Sequence, residues 1–257
     1  MTRIGQLFAK KNKNVLNVYC TAGYPQLNST LVVLKALQDG GADLIELGMP
    51  YSDPLADGPV IQASGSKALE NGMTIATLFD QLKDMRGQIW CPVVLMGYMN
   101  PVLQYGFERF CTDAAAAGVD GLILPDLPMY EYEAEYGAII KKVGLDFIFL
   151  VTPETSELRI RKLDSLSSGF LYAVSSSSTT GKDKNIADQR GYFERLESMQ
   201  LKNPVLVGFG IKDKQTFTEA CRHANGAIIG TAYIKALENG TDAGKTTKAF
   251  LTSILQG

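Results

Sequence analysis

Short apolar runs alternate with amphipathic stretches along nearly the whole chain. The runs lie at Val15–Cys20, 44–48, 93–97, 121–125, 146–151, 169–174, 204–208 and 226–230, and they are flanked by Gly, Pro, Asn or Asp as buried strands are. Between them apolar residues recur every three or four positions. This predicts helices from Ser29 to about Leu37, at 61–70 or 74–86, and then at 105–117, 131–142, 156–166, 188–199, 213–221, and 231–238 or 246–255. Ser29 reads as the N-cap of the first helix and Gly40-Gly41 as its stop. A shorter helical turn is expected from Ile4 to Ala9. Parallel strands need helical crossovers on the outer face of their sheet, and eight strands can close it. The pattern therefore predicts an α/β fold, a (β/α)8 TIM barrel, in preference to an open doubly wound sheet. No low-complexity linker or shift in composition divides the chain, so residues 1–257 are expected to form a single domain.

In such a barrel the chemistry is placed on the loops that follow the strands. The second run carries one carboxylate, Glu46, inside Leu44–Gly48. A glutamate in a strand covered on both faces is desolvated, which favours its neutral form and moves its pKa towards the range useful for proton transfer. Asp53 and Asp57 follow in a loop too rich in Ser, Pro and Gly to be a helix, and the loop is long enough to bring Asp57 back over the strand end. The residue types fit an acid/base site. They fit equally a structural glutamate held by backbone donors beside two solvated loop aspartates.

Charge and composition narrow the chemistry. With 25 basic against 27 acidic residues and no basic block, nothing points to nucleic acid or an anionic membrane. No apolar run approaches the ~20 residues of a membrane span, and Lys10, Lys11 and Lys13 are not followed by the apolar region of a secretion signal. Cys20, Cys91, Cys111 and Cys221 are widely spaced and sit in or beside apolar segments, as reduced core thiols do, so a cytoplasmic location is expected. His223 is the only histidine and falls in an expected surface turn, which argues against a His-rich metal site or a Ser-His-Asp triad; no metal is expected. No lysine falls within a strand core, so a Schiff-base lysine is not evident. Carboxylate acid/base catalysis on a phosphorylated substrate, without a cofactor, remains.

Other strand ends supply candidate binding groups. Ser175–Asn185 is the longest polar stretch and, with little apolar area to pin it, is either a lid that orders over ligand, the reading its place on the catalytic face favours, or a tolerated flexible insert. Gly208, Gly210 and Gly230-Thr231 follow the last two runs, where barrels of this kind often bind phosphate on backbone N–H groups. Tyr19, Phe149, Tyr172 and Phe209 are placed to sandwich a flat apolar group, although each also suits plain core. Two motif-like stretches fail. The P-loop pattern at Ser178–Lys182 has Ser176 in place of its first glycine, and the dinucleotide pattern at Gly208-Phe209-Gly210 has Asp213 in place of its third.

The run LIELGMPYSDPLADGPVIQ at 44–62 closely resembles the signature of the tryptophan synthase α subunit family. Similarity continues through TAGYP at 21–25, GYMNP at 97–101, LILPDLP at 122–128, GFLYAVS at 169–175 and GFGI at 208–211. The resemblance implies a barrel lyase that cleaves indole-3-glycerol phosphate to indole and glyceraldehyde 3-phosphate. It also implies an α2β2 complex in which indole passes to a β subunit that carries the only PLP. By this resemblance Glu46 is the general acid/base, Asp57 the partner of the indole N–H, Tyr172 an active-site tyrosine and Thr180 the lid threonine. Gly181, Gly210, Gly230 and Thr231 fall where the family binds phosphate, and Pro50 and Asp53 on the face that meets the partner. The chain departs from the family's usual S-R-x-G-V-T-G lid at Ser176, Ser178 and Thr179, while Thr180 and Gly181 are retained. Another phosphate-binding barrel, an isomerase or aldolase, and a non-catalytic regulatory barrel subunit are the alternatives.

Overall fold

The computed structural model describes residues 1–174, 189–208 and 210–256. These form nine strands: β1 (Val15–Thr21), β2 (Leu44–Gly48), β3 (Val93–Met96), β4 (Gly121–Ile123), β5 (Asp146–Phe147), β6 (Leu150–Val151), β7 (Leu171–Val174), β8 (Val205–Gly208) and β9 (Gly226–Ile229). All pair in parallel, in the order β5-β4-β3-β2-β1-β9-β8-β7-β6. The extra strand comes from an interruption. The run expected as one strand at 146–151 is split between Phe147 and Leu150, and its halves pair to opposite sides of the sheet. Ile148 N still donates to Leu122 O (3.0 Å) and Tyr172 N to Phe149 O (3.0 Å). The sheet is therefore closed through this segment, and β5 with β6 is the fifth of eight barrel strands.

Residues paired in parallel register share a face, and side chains alternate along each strand. Following the register around the barrel puts Asn17, Tyr19, Glu46, Gly48, Met96, Ile123, Tyr172, Leu206, Gly208 and Ile228 on one face. Asn17 and Glu46 are hydrogen-bonded on it, so this is the barrel interior. The alternate set, including Val18, Ile45, Leu47, Val93, Leu122 and Ala173, is apolar and fully buried beneath the helices.

The helices α1 (Arg3–Lys10), α2 (Thr30–Asp39), α3 (Pro59–Glu70), α4 (Ile75–Leu82), α5 (Met99–Tyr105), α6 (Phe107–Ala116), α7 (Met129–Glu131) and α8 (Gly137–Lys142) cover the first half; a π-helical turn, Tyr132–Tyr136, joins the last two. The second half carries α9 (Glu157–Leu166), α10 (Arg190–Ser198), α11 (Lys214–His223), α12 (Thr231–Asn239) and α13 (Ala243–Leu255). At both places where the pattern allowed either of two helices, both form. Three local expectations need correction. Ser29 does not cap α2: it ends a 3-10 turn, where its Oγ accepts from Gln26 N (3.3 Å). The helix expected at 105–117 is preceded by a separate α5 that Met99-Asn100-Pro101 opens, because Pro101 at the third position leaves its missing N–H among those a helix start cannot bond anyway. His223 ends α11, with Nδ1 3.3 Å from Glu197 Oε2, instead of occupying a turn.

The N-terminal end of the barrel is shut. Helix α1 buries Ile4 and Phe8 there, Phe8 packs on Phe170 with centroids 6.3 Å apart, and Ile4 lies against Gly169. Arg3 reaches the buried Asp120 just before β4 (3.0 Å); Arg86 pairs with the same carboxylate, which also accepts from Val93 N (2.8 Å). Two guanidiniums and a backbone donor compensate the desolvation of one acid.

Candidate active site

Glu46 is 1% exposed, at the middle of β2, on the inner face. Burial pushes its carboxyl up to about 8; the hydrogen bond from Asn17 Nδ2 to Oε2 (3.2 Å) opposes this, and the charge of Asp57 adds a smaller upward push. A carboxyl with that midpoint holds a proton at neutral pH yet gives it up readily, as an acid/base that must work in both directions has to.

Asp57 stands at the end of the β2–α3 loop, half-buried, immediately before Gly58 and Pro59 start α3. Desolvation raises its pKa, and the hydrogen bond from the Tyr98 hydroxyl lowers it, since that bond favours the carboxylate. Tyr98 does two things at once: its oxygen also accepts from Ala56 N (3.0 Å), so one buried phenol holds two successive residues of the loop. Its ring packs on Tyr51 with centroids 5.4 Å apart, and Asn100 Nδ2 donates to Tyr51 OH (3.1 Å). Asp126, after β4, accepts from Met99 N through both carboxylate oxygens (3.1 and 3.0 Å). The loops after β2, β3 and β4 are thereby tied into one polar and aromatic network.

Tyr19 and Tyr172 are buried on the inner face, and desolvation holds both phenols well above their ordinary pKa, with Asp57 and Glu46 among the neighbouring charges. Glycines make the space for them. A Cβ on Gly48 would fall 2.0 Å from the Tyr19 hydroxyl oxygen, and one on Gly208 2.3 Å from that of Tyr172. Phe149 lies with Met96, Leu124, Leu127 and Val174 around a cavity of about 490 Å³ over the strand ends, with Ala56 at its edge.

Gly230 precedes the first turn of α12 with no side-chain cap, and Thr231 opens that helix, exposed. Gly230 lies close to Tyr19 and Ile61, which ties this helix start to the Tyr19 side of the barrel mouth. Gly210 has φ +76°, in the left-handed region that glycine adopts freely. Pro50 is partly buried at the start of the β2–α3 loop and Asp53 is exposed on it. Thr180, Gly181 and Phe209, with the lid positions Ser176, Ser178 and Thr179, lie outside the described residues. The fold thus gathers Glu46, Asp57, Tyr19, Tyr172, Gly210, Gly230 and Thr231 around one end of the barrel. Among the described residues no group of three or more His, Cys, Asp or Glu is placed to hold a metal ion.

Two residues escaped the sequence reading. Asn17 was hidden in an apolar strand, although its position two before Tyr19 puts both on one face. Tyr98 stands in the quoted GYMNP motif, but nothing in the sequence shows that it reaches Asp57.

Comparisons with known proteins bear on the family and the fold. A family model described as "Tryptophan synthase alpha chain" matches residues 6–255. The tryptophan synthase alpha chain of Flavobacterium johnsoniae is 53% identical over 92% of this chain and 94% of its own length. That of Parabacteroides distasonis is 48% identical over the full length of both. Among solved structures, the tryptophan synthase alpha chain from Legionella pneumophila superposes with a TM-score of 0.88 at 33% identity, covering 99% of this chain and 96% of that one. A chain of the tryptophan synthase complex from Pyrococcus furiosus gives 0.85 at 34% identity, covering 95% and 99%.

Proposed function

The chain belongs to the tryptophan synthase alpha chain family, and we propose that Glu46 and Asp57 divide the proton transfer and charge stabilisation of that family's reaction between them. The activity is that of a lyase: indole-3-glycerol phosphate is cleaved to indole and glyceraldehyde 3-phosphate. The observation that carries the assignment of roles is the contrast in setting: Glu46 is fully buried in the strand, with its pKa pushed up to about 8, whereas Asp57 is half-buried on the loop and, although desolvation raises its pKa too, its charged form receives a hydrogen bond from Tyr98.

Cleavage of the bond to the indole ring needs a proton delivered to ring carbon C3, which leaves positive charge on the ring nitrogen. A proton must then leave the adjacent hydroxyl of the glycerol chain; its electron pair becomes the aldehyde C=O while the C–C pair returns to the ring. Neutral Glu46 gives the first proton and, as carboxylate, takes the second, so protons and electrons balance within the site. Asp57, ionised, stabilises the cationic ring through its N–H. Tyr19, Tyr172 and Phe149 enclose the flat ring in the apolar mouth. Gly210, Gly230 and Thr231, with Gly181, receive the phosphate, using the uncapped N–H groups at the start of α12; Thr180 is assigned to the lid that closes against Asp57, and Phe209 to the apolar enclosure of the ring. Because the proton account closes on side chains alone, the chain is assigned no cofactor of its own, and PLP is assigned to the partner.

That partner is a tryptophan synthase β subunit, in an α2β2 assembly, docking where Pro50 and Asp53 are presented. Leu55, 82% exposed between Asp53 and Asp57, supports this face as one that another protein covers. The whole chain, 1–257, is taken as one barrel domain. A cytoplasmic location fits four buried free thiols, and among the described residues no helix is long and apolar enough to cross a membrane. The test is direct. Purified chain, given indole-3-glycerol phosphate without metal or PLP, is expected to release indole, and Glu46→Gln to lower turnover by about 10²–10⁴-fold while binding substrate. Near-normal turnover in that variant would remove Glu46 from the role.

A further inference from the structure

Asn17 is 0% exposed, on the inner face of β1, two residues deeper in the barrel than the Tyr19–Glu46 pair. Its Nδ2 donates to Glu46 Oε2, while its Oδ1, also buried, has no hydrogen-bond partner among the described residues. Around it the interior is apolar: Ile228 stands beside it on β9 and Leu44 on β2. A buried asparagine normally has its oxygen pinned by a donor, which fixes which end of the amide faces which neighbour. Here only one end is held.

The consequence concerns Glu46 when it carries its proton. A carboxylate needs a donor from its neighbour, whereas a carboxylic acid presents an O–H that needs an acceptor. The two ends of an asparagine amide are nearly the same size, and rotation about the last side-chain bond exchanges donor and acceptor at one place. Since nothing holds Oδ1, the exchange breaks no other hydrogen bond. We propose that Asn17 is a positioning residue for Glu46 whose amide turns over with each proton transfer, donating to the carboxylate and accepting from the acid, so that the carboxyl keeps one orientation in both states. Asn17 does not touch substrate and acts through Glu46; the proposal rests on the acid/base reading of that residue. The ionisable groups near Glu46 are Asp57 from the β2–α3 loop, Tyr19 from β1 and Tyr172 from β7 on the inner face, and Cys20 on the other face of β1. Tyr19, Tyr172 and Cys20 are all held protonated by burial, which leaves Asp57 as the charge that varies near the pair.

Side-chain amide NMR on the full chain tests this, with the Asn17 signal assigned by its loss in Asn17→Leu. Contacts from the amide protons to the Glu46 methylene protons are expected when Glu46 is ionised and to disappear as it protonates. In Glu46→Gln no such titration is expected. An amide whose contacts stay the same through the Glu46 midpoint would overturn the proposal. In turnover assays Asn17→Leu, or the smaller Asn17→Val should the first not fold, is expected to lower kcat by about tenfold, the effect of one lost hydrogen bond on an orienting group, with KM nearly unchanged. Unaltered kcat in a folded variant would equally overturn it. Failure of the underlying reading looks different: Glu46→Gln would keep its turnover while the amide signal still responded to pH in the unsubstituted chain.

Discussion

Gly48 lies directly beneath the hydroxyl of Tyr19, so close that a methyl group there would sit 2.0 Å from the oxygen. The tyrosine reaches the barrel mouth because a neighbouring strand has no side chain at that level. Gly48→Ala is therefore expected to destabilise the protein by about 1–3 kcal/mol, as overpacking of a tight core does, and to raise KM by displacing the ring. Tyr19→Phe in the same chain should recover part of the loss, since it removes the colliding oxygen. Thermal unfolding of the single and double variants decides the matter: an alanine tolerated without cost would mean that Tyr19 is free to move.

The buried carboxyl makes stability depend on pH in a definite direction. Glu46 has its pKa raised from 4.5 to about 8, so between those values the folded chain keeps a proton that the unfolded chain has released. Its contribution is fully present below the lower value and is lost as pH rises through the upper one, at a limiting slope of about 1.4 kcal/mol per pH unit. Glu46→Gln, which cannot ionise, should gain stability relative to the parent as pH goes from 5 to 9. Comparing the two proteins cancels Asp57 and Asp146, whose raised values act in the same sense. A constant difference in denaturation midpoint across that range would contradict the burial of Glu46 as an acid.

Removing one oxygen from the loop network should be felt at Asp57. Tyr98→Phe leaves Ala56 N without its acceptor and Asp57 without its donor. A hydrogen bond to a charged group is worth about 1.5–3 kcal/mol, so kcat/KM is expected to fall by roughly 10- to 100-fold. Loss of the donor also raises the pKa of Asp57, so activity on the acid side should fail at a higher pH than in the parent. An unshifted acid limb in the pH–rate profile would show that Asp57 does not depend on Tyr98.

Pairing with a β subunit should be sensitive to the outer side of the same loop. Asp53 is exposed, and four residues further on the chain reaches Asp57, so a partner pressing on the first biases the second. Asp53→Ala is expected to blunt the rise in indole formation that a cognate β subunit causes, with the basal rate of the isolated chain much less affected. Titrating the partner into both proteins would sink the coupling if stimulation were equal.

The strands were legible because a parallel sheet buried on both faces leaves continuous apolar runs, and the polar exception inside one, Glu46, marked the site. The interruption of the fifth strand at Ile148-Phe149 was not legible, since those residues are as apolar as their neighbours and only the hydrogen-bond partners change. Helix starts were less secure: Ser29 has the right chemistry for a cap, yet a 3-10 turn uses its hydroxyl one turn early. Within the site, the loop acids could be named from their setting, whereas Asn17 meets Glu46 through the register of the sheet and Tyr98 meets Asp57 from one strand-end loop to the next.

The shut floor of the barrel has an isotopic consequence. Below Glu46 lie Asn17 and then α1, with Ile4 and Phe8 buried and Arg3 on Asp120, so a proton on Glu46 exchanges with bulk water only through the mouth. Once substrate fills the mouth, that exchange is blocked. The hydrogen that leaves the glycerol hydroxyl is then retained on Glu46 until the products part; in the reverse direction Glu46 first protonates the aldehyde oxygen and then holds the hydrogen lifted from ring C3 until the product departs. In a reaction run from indole tritiated at C3 and glyceraldehyde 3-phosphate, release of tritium to water should therefore lag behind bond formation and keep pace with product departure. Release of label as fast as the bond forms would place an open water path at Glu46.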